Sequence, residues 1–99
     1  MGRRIEEVQE ELLRDPEIQR EYEALEEEFA VASALIAARA RAGLTQQELA
    51  ERMGTTQSAV ARLESGHPLP SLRSLLRYAA ATGSRLDLKF VARQSGQRQ

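Results

Sequence analysis

Ninety-nine residues suffice for one small domain with an appendage and leave no room for a second independent core. With no cysteine and a single histidine, His67, the chain excludes disulfides, thiolate catalysis and cysteine-based zinc sites; no calcium-loop spacing replaces them, so no metal or cofactor is expected. The net charge of −1 conceals a division, because residues 1–30 hold eleven acids against four arginines (−7) while residues 31–99 hold ten basic residues against four acids (+6).

An acidic N-terminal part suits a basic partner, and a basic remainder suits a polyanion. Ala, Leu, Glu and Arg dominate, so the chain is expected to be all-α or nearly so. No segment is apolar and long enough to span a bilayer, and four glutamates occupy the stretch where a signal peptide needs an apolar run. A cytoplasmic protein without membrane contact is the expectation.

Ile5, Val8 and Leu12 recur at helical spacing among glutamates and predict a short helix over residues 4–14. Pro16, following Asp15, marks a helix start. From there Ile18, Tyr22, Leu25, Phe29, Ala32 and Ile36 follow at steps of three and four, an apolar stripe on a helix that can run to Ala42, about 40 Å. Gly43 supplies the left-handed stop, and Leu44 the apolar contact beyond it.

Thr45-Gln46-Gln47-Glu48 reads as a capping box, in which the Thr45 hydroxyl accepts from the Glu48 amide and the Glu48 carboxylate reaches back. The helix it opens ends near Met53, because Gly54 can take the positive φ of a sharp reversal and Thr56 caps a second helix. Leu49, Met53, Val60 and Leu63 should then share one core, with Ala50 small where two helices cross. That arrangement is the signature of a helix-turn-helix. With Val60, Leu63 and Glu64 turned inward, Ser58 and Arg62 lie one turn apart on the outside and Gln57 stands at the exposed N-terminal end. These side chains can hydrogen-bond base edges, arginine to guanine, glutamine to adenine and serine to either. Alanines at 59 and 61 keep the face slim enough for a major groove.

Ser71 begins a last helix with Leu72, Leu75, Leu76 and Ala79 on one face, ending at Gly83. Arg85-Leu86-Asp87-Leu88-Lys89-Phe90-Val91 then alternates polar and apolar, the period of a half-buried strand. A lone strand needs a ladder partner, and a two-fold copy of itself is the simplest supply. Leu72, Leu75, Leu76, Leu86, Leu88 and Phe90 are therefore the candidate dimerisation residues.

The run from Leu44 to Gly66 resembles the Cro/C1-type (XRE) repressor family, and residues 32–82 would form its lambda-repressor-like helix-turn-helix domain. The resemblance implies DNA contacts from Gln46, Gln47, Thr56, Gln57, Ser58, Ala59 and Arg62. It also implies an ion pair between Arg39 and Glu64. The flanks, an acidic N-terminal helix and the Leu-Asp-Leu-Lys-Phe-Val strand, resemble HigA-type antitoxins. Such proteins act as homodimers, repress their own operon at an inverted repeat in double-stranded DNA, and neutralise a small basic RelE/HigB-like mRNA-cleaving toxin. On that reading residues 1–30 are an acidic helical arm with Ile18, Tyr22, Leu25 and Phe29 as toxin-binding anchors. Residues 31–83 form the DNA-binding domain, 84–92 the dimerisation strand and 93–99 a flexible tail.

Three other readings are weaker or narrower. An enzyme lacks a nucleophile–base set and a phosphate loop, and the clustered carboxylates have nothing to raise a pKa. A structural adaptor leaves the Gln57, Ser58 and Arg62 face without a purpose. A free-standing XRE-type regulator, with no toxin partner, is the alternative that fits the central motif equally well.

Overall fold

The computed structural model describes residues 14–92. Apart from Arg14, the helix expected over 4–14 and the tail at 93–99 lie outside them. Four helices carry the described chain: α1 (Pro16–Ala42), α2 (Gln46–Met53), α3 (Gln57–Leu63) and α4 (Leu72–Ala81).

Each helix begins and ends where local chemistry dictates. Asp15 caps α1 by accepting from the Glu17 N–H at 2.9 Å, and Pro16 loses nothing in the first turn, where its amide would have no partner. Gly43, at φ 71°, closes α1 while the Leu44 N–H reaches back to the Arg39 carbonyl at 3.2 Å. The Thr45–Glu48 capping box is complete in both directions, at 3.0 and 2.9 Å. Thr56 and Ser71 cap α3 and α4 by accepting from Ala59 and Ser74. Such caps satisfy amides that helix geometry leaves without partners.

The core consists of Leu35 and Ala38 from α1, Leu49 and Ala50 from α2, Val60 from α3 and Tyr78 from α4. Val31, Leu44, Met53, Leu63, Leu75 and Ala81 pack around it. Burial of each large apolar member is worth about 1.5–3 kcal/mol, enough to fix helices too short to persist alone. Two arginines tie α2 to α4: Arg77 donates to the Met53 carbonyl at 2.7 Å, and Arg52 to the Ala81 carbonyl at 3.2 Å. Both carbonyls close a helix, so each cation meets a helix C-terminus.

Only the second half of α1 enters this core. The helix is unbroken across residues 30 and 31, where the charge changes sign, and its first half projects beyond the domain, contributing to extents of 53 × 36 × 21 Å. The loop after α3 holds α1 at its midpoint. Gly66, buried at φ +73°, lies so close to the Glu28 carbonyl that a Cβ would collide with it. His67 Nδ1 lies 3.0 Å from the Glu28 carboxylate.

Residues 84–92 adopt no regular secondary structure. Their alternation is that of a strand, yet among the described residues there is no second strand to complete a ladder. The described chain is therefore all-helical, and the expected strand is not formed within it.

Candidate nucleic-acid interface

The α2–turn–α3 unit is positioned by one buried carboxylate. Glu64, at the C-terminal cap of α3, is only 5% exposed and accepts from three helices. Arg39 of α1 donates twice, Nε to Oε2 at 2.7 Å and Nη2 to Oε1 at 3.0 Å. Its Nη1 donates to the Leu44 carbonyl at 3.0 Å. Gln46 of α2 donates through Nε2 to Oε1 at 3.0 Å. The Tyr78 hydroxyl of α4 lies 2.6 Å from Oε2 and 2.7 Å from the Leu35 carbonyl, so one proton serves two acceptors.

Burial alone would push the Glu64 carboxyl up. The hydrogen bonds from Arg39, Tyr78 and Gln46, with the guanidinium charge, outweigh it and hold the group below its ordinary range. The same bond to Glu64 raises Arg39. Burial, with the carboxylate beside it, pushes the Tyr78 hydroxyl well above its ordinary value. The ion pair expected between Arg39 and Glu64 is present and bidentate, the strongest form of such a contact.

The buried carboxylate also sets the polarity of the surface. A carboxylate only accepts, so the Gln46 amide must turn its NH2 inward and its oxygen outward. That oxygen accepts from Gln57 Nε2 at 3.1 Å. Gln57 is left with one N–H and its own oxygen facing solvent, the donor–acceptor pair that matches the major-groove edge of adenine.

Gln57, Ser58 and Arg62 stand exposed on the outer face of α3, as the spacing requires. Ser58 Oγ lies 3.2 Å from Thr56 Oγ1. Gln47, also exposed, lies 3.4 Å from the Glu51 carboxylate on its own helix. Ala59 differs from its neighbours: it is half-buried and spends its amide on Thr56. Two helices crossing at Ala50, a left-handed Gly54 and a polar outer face define a helix-turn-helix DNA-binding protein.

Comparison with known proteins agrees. The helix-turn-helix family profile matches residues 35–89, and the chain belongs to that family, in its XRE-type branch. It is 38% identical over 81 residues to antitoxin HigA1 of Mycobacterium tuberculosis, in the CDC 1551 and H37Rv strains alike, a span of 82% of this chain and 54% of that protein. The chain thus spans about half the length of these curated relatives. It is 51% identical over 41 residues to an uncharacterized HTH-type transcriptional regulator of Methanothermobacter thermautotrophicus, covering 41% of this chain and 59% of that one. A similarly named protein of Archaeoglobus fulgidus is 36% identical over 53 residues, 54% and 76% of the two chains. No solved structure matches with significance.

The other candidate residues occupy two different surfaces. Ile18 is half-buried, whereas Tyr22, Leu25 and Phe29 are 40, 60 and 74% exposed along the projecting half of α1. On α4, Leu72 and Leu76 are exposed but Leu75 turns to the core. Their spacing allowed one face; in fact the helix divides them between core and solvent. Leu86 is half-buried beside α1 and α4, while Leu88 and Phe90 are exposed. Tyr78, which joins the whole network, has no place in the sequence reading. The signal lies in Leu75, Tyr78 and Ala81, spaced by three and three on the core side of α4: a tyrosine within an apolar stripe needs a buried acceptor for its hydroxyl.

Proposed function

We propose that the chain is an antitoxin with two separable surfaces. As a dimer it binds an inverted repeat in its own operator, placing two α3 helices in major grooves about 34 Å apart. Through the projecting half of α1 it neutralises a small basic mRNA-cleaving toxin of the RelE/HigB kind. The observation that carries the second half is the apolar stripe of Tyr22, Leu25 and Phe29, exposed on a helix segment dense in glutamate. An amphipathic helix of this sort suits a groove on a partner, with aromatic residues as anchors. Its acids suit a toxin that handles RNA, and they keep the arm away from DNA phosphates. The likeness to HigA1 supports the same reading.

The test uses the toxin of the neighbouring reading frame. Leu25→Asp with Phe29→Asp in the full chain should abolish protection of cells while leaving operator binding intact. A protein beginning at Ala30 should behave alike. Full protection by the double variant would favour the second reading, a free-standing regulator, which the two archaeal relatives support by name.

A further inference from the structure

We propose that the toxin-binding surface does not end with the arm but runs on along α1 into the DNA-binding domain, with Ile36 as its last apolar anchor. The proposal deepens the antitoxin reading and rests on it.

Tyr22, Phe29 and Ile36 stand seven residues apart. Two helical turns separate each from the next, so they drift by only about 20° per interval and span about 21 Å of α1. The helix is unbroken between them. All three are open to solvent, by 40, 74 and 43%, and Leu25, at 60%, fills the turn between the first two. The loop after α3 meets the helix beside this line, at Glu28 and Ala32, and leaves Phe29 and Ile36 uncovered. A lone isoleucine on a surface needs no explanation. Ile36, however, continues in register an apolar line that its own chain does not cover, while its neighbours Leu35 and Ala38 take the core. The change of charge at residues 30 and 31 is therefore no break in the line.

Charge selects the occupant. Flanking the line, the first half of α1 shows Glu21 and Glu26 to solvent. Between Val31 and Ala40 the only charged residue is Arg39, and its guanidinium is engaged by Glu64 and the Leu44 carbonyl. Arg41 lies off the line, bordering the cavity lined by Leu75 and Leu86. A second copy of α1 laid parallel would set glutamate beside glutamate. Laid antiparallel, it would bring to those glutamates a stretch whose one cation is already in use. A basic partner compensates the acids along the arm and meets an uncharged, apolar end at Ile36. The surface thus fits a basic protein with an apolar groove about 21 Å long or longer, in which the line supplies the anchors and the acids guide the encounter.

Because the chain contains no cysteine, the alkylation rate of a single introduced thiol reports the burial of a chosen position. In the full chain, adding the toxin of the neighbouring reading frame should slow alkylation of Ile36→Cys about tenfold or more, as it should that of Phe29→Cys. Ala37→Cys, exposed and about a quarter-turn round the helix, should change by less than about twofold. Ile36→Asp should weaken toxin binding about tenfold or more, because a carboxylate cannot enter an apolar groove. Ala37→Asp adds the same charge to the same half of α1 and should leave toxin binding unchanged or slightly tighter, since the toxin is basic. Unchanged operator affinity in both variants reports an intact domain, and if Ile36→Asp loses it, protection of Ile36→Cys decides. Protection of Phe29→Cys without protection of Ile36→Cys ends the surface at the arm, overturning the inference and leaving the functional reading standing. Equal losses from Ile36→Asp and Ala37→Asp overturn it too, because the line then has no privilege over the rest of the helix. No protection at either 29 or 36 removes the functional reading and the inference with it.

Discussion

The two halves of α1 obey opposite rules. From Val31 onward Leu35 and Ala38 enter the core and Arg39 pairs with Glu64, although Ile36 stays 43% exposed. Before Ala30 the same helix, with the same helical spacing, carries Tyr22, Leu25 and Phe29 into solvent. Helical periodicity therefore says which residues share a face, not whether that face serves the molecule's own stability or another's. The division can be tested, because substitutions on one half should register in folding and those on the other only in binding.

The largest effect is expected at the carboxylate. Glu64→Ala should lower the stability measured by urea unfolding by about 3–5 kcal/mol, because it strands Arg39, Tyr78 and Gln46 around an unpaired buried site. Loss of less than 1 kcal/mol would mean that the network positions α3 without stabilising it. The same group predicts an acid limb. Its folded pKa lies below the ordinary value of 4.5, so its contribution is present above that pH and is lost as pH falls through the folded value. Unfolding followed between pH 7 and pH 2 should show that limb flattened in Glu64→Gln. Tyr78 acts at the other end: its raised pKa keeps its contribution intact below the ordinary value of 10.0 and removes it as pH climbs beyond.

Tyr78→Phe keeps the ring in the core and removes one hydroxyl bonded to a charged acceptor, so unfolding should show a loss of about 1.5–3 kcal/mol. Comparable in size, but in a different measurement, Arg62→Ala should weaken operator binding by about 1–3 kcal/mol and relax one base-pair preference, with folding unchanged. Unaltered affinity and preference in a binding-site selection would remove Arg62 from the reading surface.

Much of the domain was legible from local chemistry. Asp15, Gly43, Thr45 with Glu48, Gly54, Thr56 and Ser71 each act within a few residues of themselves, and each appears where expected. The pair Arg39–Glu64 spans 25 residues and was reached through resemblance, since no local rule links the two. Tyr78 and the close approach of Gly66 to Glu28 escaped, because a tertiary contact leaves only a permissive trace: a polar tip in an apolar stripe, a glycine in a loop. Residues 84–92 carry the pattern of a strand without a ladder, which shows that alternation specifies a surface and cannot supply its partner.

The smallest expected effect on folding is also the sharpest test of the comparison. Phe29 is 74% exposed, so Phe29→Ala removes little buried area and creates no cavity; its stability should stay within about 0.5 kcal/mol of the parent. In the core the equivalent change would cost about 3–5 kcal/mol. If the stripe serves a toxin, the same substitution should cost about 2 kcal/mol or more of toxin affinity, as an aromatic anchor does when its partner surface desolvates it. Added salt should then weaken the contribution of flanking Glu26 to association while leaving that of Phe29, because exposed charges are screened and apolar burial is not. A marked loss of stability in Phe29→Ala would instead place the first half of α1 in an interface that the protein needs in order to fold, and would erase the distinction between the two halves.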